Sequence, residues 1–203
     1  MKRKVLLVVD MQDDFVYGPL GTEEAKEIVP KISDEIKNGG YDLVVFTKDI
    51  HGENYLDTHE GKNLPIRHCI RNTYGSNIVD DVFDSLNAGQ DFIIVEKSMF
   101  GNYELPYLIQ EKLKDMNDYC SKECCLNYFD DCPEFDGCPI LDYEVNVVGV
   151  CTDYCVLANV MLLYFYICSP NKIRVLSTLC AGSTPQKHQQ TLDILKHLFI
   201  EVI

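Results

Sequence analysis

Six short apolar runs punctuate the chain, and the stretches between them carry either helical periodicity or polar turns. Residues 4–10 contain five consecutive aliphatic side chains, Val5 to Val9, the pattern of a strand buried on both faces. Residues 43–47, 92–96, 145–149 and 173–177 repeat it, and 199–203 read as a short last strand. Ala25, Ile28, Val29, Ile32 and Ile36 recur at helical spacing, which predicts a helix over 22–37 that Gly39-Gly40 stops. Further helices are expected over 77–87, 104–116, 154–167 and 185–198, the third apolar enough to be buried and the last with Pro185 near its start. Strand alternating with helix predicts an α/β fold: a three-layer, doubly wound, mostly parallel six-stranded sheet with helices on both faces. Ligands bind such sheets at the carboxyl ends of the strands.

The alternation predicts one domain over residues 1–203, interrupted only at 117–140. That segment holds Cys120, Cys124, Cys125, Cys132 and Cys138 and reads as a Cys-rich insertion. Metal binding by these cysteines is one reading, but they lack the paired C-x2-C spacing of a zinc site, so a solvated loop or helical hairpin is the first expectation.

Charge narrows the function. The net charge is −14, from 32 acidic against 18 basic residues, with no Lys/Arg cluster. Nucleic acid and anionic membrane surfaces are therefore not expected partners. No apolar run approaches the roughly 18 residues of a membrane span. The apolar run after Met1-Lys2-Arg3-Lys4 is interrupted by Asp10 and is too short for a signal peptide. A cytoplasmic protein is expected, with its ten cysteines reduced.

Polar groups stand where the strands end. Asp10 follows the first run, Lys97 the third, and Cys155 lies just past the fourth. Taken singly, these are a turn residue, a solvated strand end and a small buried hydrophobe. Taken together they lie at the same edge of one parallel sheet and can converge in one cleft. A cysteine at a helix N-terminus beside an ammonium is expected to have a lowered pKa. A carboxylate could take its proton and return it, and the first free helix amides could hold an oxyanion.

The residues around these three also resemble a known family. Val8-Val9-Asp10-Met11-Gln12-Asp13-Asp14-Phe15, Glu96-Lys97-Ser98-Met99-Phe100-Gly101, Gly149-Val150-Cys151-Thr152-Asp153-Tyr154-Cys155-Val156 and Cys180-Ala181-Gly182-Ser183-Thr184-Pro185 occur in the order of the isochorismatase-like cysteine hydrolases, the superfamily that includes the nicotinamidases. The resemblance covers most of the chain except 117–140. It implies a catalytic triad of Asp10, Lys97 and Cys155. It also implies a cis peptide between Val150 and Cys151 and an oxyanion site built from the backbone amides of Cys151 and Cys155.

Residues 48–75 form a long polar stretch, and a loop of that length inside a compact domain is usually functional. It carries Asp49, His51, His59, Glu60 and His68, a mixture of imidazole and carboxylate that suits a borderline divalent ion. Spacing alone leaves a plain surface loop as the simpler alternative. The resemblance implies Asp49, His51 and His68 as ligands, with Glu60 preferred over its neighbour His59 as the fourth. Zinc is the first expectation; iron(II) or manganese also suits mixed N/O ligands.

Many nicotinamidases have a large aromatic three residues before the last histidine ligand, where this chain has Pro65. Phe15, Phe100 and Tyr103 are the candidates to build the substrate wall instead. The resulting expectation is a metal-dependent enzyme of NAD salvage. It would cleave the amide of nicotinamide, or of a related small amide, to the acid and ammonia through a thioester. Two alternatives stand beside it: an isochorismatase-type hydrolase of another small substrate, and a non-enzymatic metal or thiol sensor. Self-association into a homo-oligomer is left open.

Overall fold

The computed structural model describes residues 3–116, 143–167 and 172–203; the expected insertion at 117–140 lies outside them. The chain runs through β1 (Arg3–Val9), a one-turn helix α1 (Asp13–Val16), α2 (Glu23–Asn38) and β2 (Leu43–Asp49). Two 3-10 turns (Tyr55–Asp57 and Tyr74–Ser76), α3 (His59–Asn63) and α4 (Asp80–Phe83) precede β3 (Asp91–Lys97) and α5 (Leu105–Asp115). After β4 (Tyr143–Val150) come a wide π-type turn (Thr152–Val156) and α6 (Leu157–Ile167), then β5 (Ile173–Ala181), α7 (Pro185–His197) and β6 (Glu201–Val202).

The six strands form one sheet in the order β3-β2-β1-β4-β5-β6, and every neighbouring pair is parallel. The chain starts at the centre, works outward through β2 and β3, then crosses to β4 and works outward the other way. The strand order therefore reverses between β1 and β4, and sheets of this kind bind ligands at the carboxyl ends of the strands beside such a reversal. β1 is central and covered on both sides, and Val5 through Val9 are completely buried. Strand alternation sends Val5, Leu7 and Val9 toward α5, α6 and α7, and Leu6 and Val8 toward α2. Each fully buried aliphatic side chain of this kind is worth about 1.5–3 kcal/mol, so the middle of the sheet is a rigid platform.

α2 begins where Thr22 caps it by accepting from Ala25 N at 3.0 Å, and its five periodic apolar residues are all buried. Several expected elements differ. The helix expected over 77–87 is only α4, four residues long. Ile78, Val79 and Val82 are all buried, but Ile78 is held extended in an antiparallel bridge to Gln12, and beyond Phe83 the chain closes in turns, with Ser85 N donating to Val82 O and Leu86 N to Phe83 O at 3.3 Å. The expected loop 48–75 contains α3 and both 3-10 turns. The expected helix over 154–167 starts as the π-type turn, and the fifth strand runs on to Ala181. Its register jumps between Val147↔Val175 and Gly149↔Cys180, a bulge that apolar periodicity does not reveal. No helix among the described residues is long and apolar enough to cross a membrane.

Candidate active site

Asp10 directly follows β1, is completely buried, and has a left-handed backbone with φ of 49°. Thr47 on the adjacent β2 holds it from both sides. The Thr47 hydroxyl donates to Asp10 Oδ1 at 2.6 Å and accepts from Asp10 N at 3.1 Å. Lys97 ends β3. Its Nζ lies 2.7 Å from Asp10 Oδ2 and 3.5 Å from Cys155 Sγ, so the ammonium bridges the carboxylate and the sulfur. Cys155, buried in the π-type turn, completes the triangle.

The other side of the triangle is the end of β4. Gly149 has φ of 115°, and a Cβ there would lie 2.1 Å from the Val9 carbonyl oxygen, so only glycine lets the ends of β1 and β4 close up. The next peptide, Val150–Cys151, is cis. The Cys151 carbonyl then accepts from the amides of Tyr154 and Val156 at 3.0 and 3.1 Å, which fixes the turn carrying Cys155.

The electrostatics correct one expectation. Burial pushes the Cys155 thiol well above its usual pKa, and the charges of Asp10 and Asp49 push the same way; Lys97 only opposes them. The helix start and one ammonium do not outweigh desolvation, so the sulfur rests as a thiol. Asp10 is also raised, chiefly by burial and secondarily by Asp49, with Lys97 pulling it down. Cys151 is half-buried, and desolvation, then Asp153, pushes its thiol up to about 12.

Asp49 and Lys97 are register partners on β2 and β3, and Lys97 Nζ is 3.6 Å from Asp49 Oδ1. The same strand ends thus carry the triangle and a second cluster: Asp49, His51, Glu60 and His68, whose ligand atoms lie within 4.8 Å of one another. His51 Nε2 is 2.8 Å from Asp49 Oδ2 and 3.6 Å from Glu60 Oε1. His68 Nε2 is 3.5 and 3.7 Å from those same two oxygens. A short parallel bridge between His51 and Ile70 brings the two histidine segments together. His68 Nδ1 sits 2.8 Å from the Ile66 carbonyl, which leaves Nε2 facing the cluster. Burial works against the Asp49 charge, but the adjacent His51 and His68 imidazoles and the Lys97 ammonium hold its carboxyl well below the usual range.

These residues fit a divalent ion. The donor set is two imidazoles and two carboxylates. Within it, His51 Nε2 and Asp49 Oδ1 are buried without a hydrogen-bond partner among the described residues. α3 sets the two candidate fourth ligands apart. Thr58 caps it by accepting from Gly61 N at 3.0 Å, and Glu60 then faces inward while His59 is exposed.

Phe15 is buried with its ring centroid 5.3 Å from that of His68, on the wall of this cluster. Phe100 is partly exposed and packs on Tyr154 at 5.2 Å. Tyr103 is 80% exposed, so it walls nothing among the described residues.

Four supporting residues escaped the sequence reading. Besides Thr47, Gln12 clamps the Asp49 backbone: its amide donates to Asp49 O at 2.9 Å and its oxygen accepts from Asp49 N at 2.7 Å. Tyr55 is fully buried, lies 4.6 and 4.9 Å from the His51 and His68 rings, and donates to Leu64 O at 2.9 Å. Asn159, one turn beyond the nucleophile candidate, donates to Cys155 O at 2.8 Å and accepts from Asn102 N at 3.2 Å. Gln12 stands inside the opening motif, and its total burial is the signal that a sequence cannot display.

Comparison with known proteins places these observations. The sequence pattern of the isochorismatase domain matches residues 4–115. The nicotinamidase of Saccharomyces cerevisiae is 29% identical over 189 residues, covering 77% of this chain and 79% of that protein. A pyrazinamidase of Pyrococcus horikoshii, solved in complex with zinc, superposes with a TM-score of 0.70 at 23% identity over 99% of this chain and 98% of that one. A pyrazinamidase/nicotinamidase from Streptococcus mutans gives 0.71 at 22% identity over 98% and 99%. At such identities the solved structures speak to the fold, a six-stranded parallel α/β sheet.

Proposed function

The chain belongs to the isochorismatase domain family, and from that premise we propose that it hydrolyses the amide of nicotinamide, or of a related small amide, to the acid and ammonia. The observation that carries this reading is the position of one lysine. Lys97 Nζ touches the Asp10 carboxylate at 2.7 Å, the Cys155 sulfur at 3.5 Å and the Asp49 carboxylate at 3.6 Å. A nucleophile, a base and a candidate metal cluster therefore share one buried cation.

The chemistry follows from the proton positions. Cys155 rests as a thiol, so its proton must leave as the sulfur attacks. Asp10, also raised by burial, is a base matched to that task. The sulfur bonds to the amide carbon, and the carbonyl electrons move to oxygen, where the amides of Cys151 and Cys155 would receive the negative charge. Protonated Asp10 gives its proton to the nitrogen, the C–N bond breaks, and ammonia departs from a thioester. Asp10 then takes a proton from water as the water oxygen attacks the thioester. The C–S bond breaks, the acid leaves, and the proton returns to sulfur. Lys97 stays charged throughout, holding Asp10 and offsetting charge on the sulfur.

A divalent ion, zinc in the first instance, would be held by Asp49, His51, Glu60 and His68; bound there, it supplies a Lewis acid that can anchor a ring nitrogen. Phe15 would give a flat ring one face to lie on. Pro65 is exposed and supplies no second face, so small amides other than nicotinamide belong in the same assay. Ammonia release from a panel of small amides is the test, with nicotinamide expected among the best substrates. A panel with no ammonia release at all would overturn the reading.

A further inference from the structure

The motif from Cys180 to Pro185 has no part in the chemistry above, yet it reaches the turn that carries Cys155. Thr152 and Asp153 are the first two residues of that turn, and each is gripped by a side chain some thirty positions away. His188 Nδ1 lies 2.8 Å from the Thr152 hydroxyl. Asp153 accepts twice from Ser183, from the backbone N at 2.8 Å and the hydroxyl at 2.6 Å. Thr152 is completely buried, so its hydroxyl has no water to fall back on.

The connection is built for this approach. Thr184 caps α7 by accepting from Lys187 N at 3.2 Å, and Pro185 stands in its first turn, which sets the position of His188. A Cβ on Gly182 would lie 2.8–2.9 Å from the His188 backbone and Cβ, so that glycine lets the helix start close in. Burial holds the His188 ring toward its neutral form, against the pull of Asp153. A neutral imidazole can pair with a hydroxyl in either sense.

We propose that the connection between β5 and α7 is a clamp on the nucleophile turn, with His188 and Ser183 as positioning residues that aim the Cys155 sulfur and its backbone amide at the substrate carbonyl. The proposal rests on Cys155 being the nucleophile. It adds that the aim is set from outside the turn, by the C-terminal motif. Neither side chain touches the reacting atoms, so their loss should appear in kcat and not in substrate or metal binding.

The test uses the full-length, zinc-loaded protein. Two rates are compared: ammonia release from nicotinamide, and alkylation of Cys155 by iodoacetamide followed by peptide mass. His188→Ala is expected to lower kcat roughly 10- to 100-fold, as a misaimed reacting group does. KM and bound zinc should stay within about twofold, and alkylation of Cys155 should slow in parallel. His188→Asn, whose short amide can reach Thr152 in place of Nδ1, should recover most of the loss. A His188→Ala enzyme with wild-type kcat, or an Asn variant no better than Ala, would overturn the clamp. Should His188→Ala fail to fold, Thr152→Val and Ser183→Ala decide: lowered kcat at unchanged KM supports the clamp, and unchanged kcat removes it. Wild-type protein that hydrolyses no amide would sink the amidase reading alone, and the alkylation rates would still judge the clamp.

Discussion

Lys97 and Asp10 form an ion pair of 2.7 Å whose two side chains are 1% and 0% exposed. Such a pair stabilises little relative to a packed apolar pair, but removing one partner strands a buried charge, at a cost of about 3–5 kcal/mol. Lys97→Met and Asp10→Asn should each abolish or nearly abolish turnover, and Lys97→Met should also lose stability on that scale. The double variant Asp10→Asn/Lys97→Met should be inactive but more stable than Lys97→Met alone. Urea denaturation of the three variants measures this. Stabilities that simply add would show that the pair is not coupled.

The two thiols of the nucleophile turn are separable. Cys155→Ala should remove turnover, and Cys151→Ala should keep most of it, because Cys151 is expected to contribute backbone and not sulfur. Loss of either the nucleophile or its base should remove most of the catalysis, since they act as a unit. None of these variants touches the metal cluster, so bound zinc should stay constant across the set. An active Cys155→Ala protein would reassign the nucleophile.

The sheet and the sites were legible to different depths. Central strands announce themselves, because β1 is buried on both faces and its aliphatic run can be nothing else. Strand ends do too, which is why Asp10, Lys97 and Cys155 could be placed at one sheet edge from the sequence, whereas the register of Asp49 beside Lys97 could not. Short elements could not be read. α3 and α4 are held by caps and tertiary contacts, with too few residues for a period. The resting state of Cys155 was also out of reach: helix position and a nearby lysine argue for a thiolate, and only the burial seen in three dimensions reverses the sign. His59 and Glu60 are adjacent in sequence, and the cap at Thr58 is what turns one inward and the other out.

That choice can be measured. His59→Ala should leave metal binding unchanged, because the side chain is exposed. Glu60→Ala should weaken it, and His51→Ala/His68→Ala should remove it. Tyr55→Phe deletes the hydroxyl that reaches Glu60 Oε1 at 3.5 Å as well as Leu64 O at 2.9 Å, and loss of a hydrogen bond that orients a ligand typically costs roughly 10–100-fold in metal affinity. Zinc content after dialysis, followed by competition with a chelator, gives the order. A full equivalent of zinc in the double histidine variant would move the site elsewhere.

The link between His188 and Thr152 also gives stability a pH dependence of known sign. Burial pushes the His188 imidazole below its usual value of 6.5, and Asp153 opposes only in part. The unfolded chain, with His188 near 6.5, therefore binds a proton more readily than the folded one as pH falls. The contribution of a neutral His188 is fully present above the unfolded value and is lost as pH falls from there through the lower folded value. His68 moves the other way: burial lowers it, but the Asp49 carboxylate raises it on balance, so the comparison must be made against a variant that leaves His68 alone. His188→Asn does so. In metal-free protein, Tm between about pH 7.5 and about 5.5 should fall more steeply for the wild type than for His188→Asn. Parallel Tm profiles would mean that His188 titrates alike in the folded and unfolded chains.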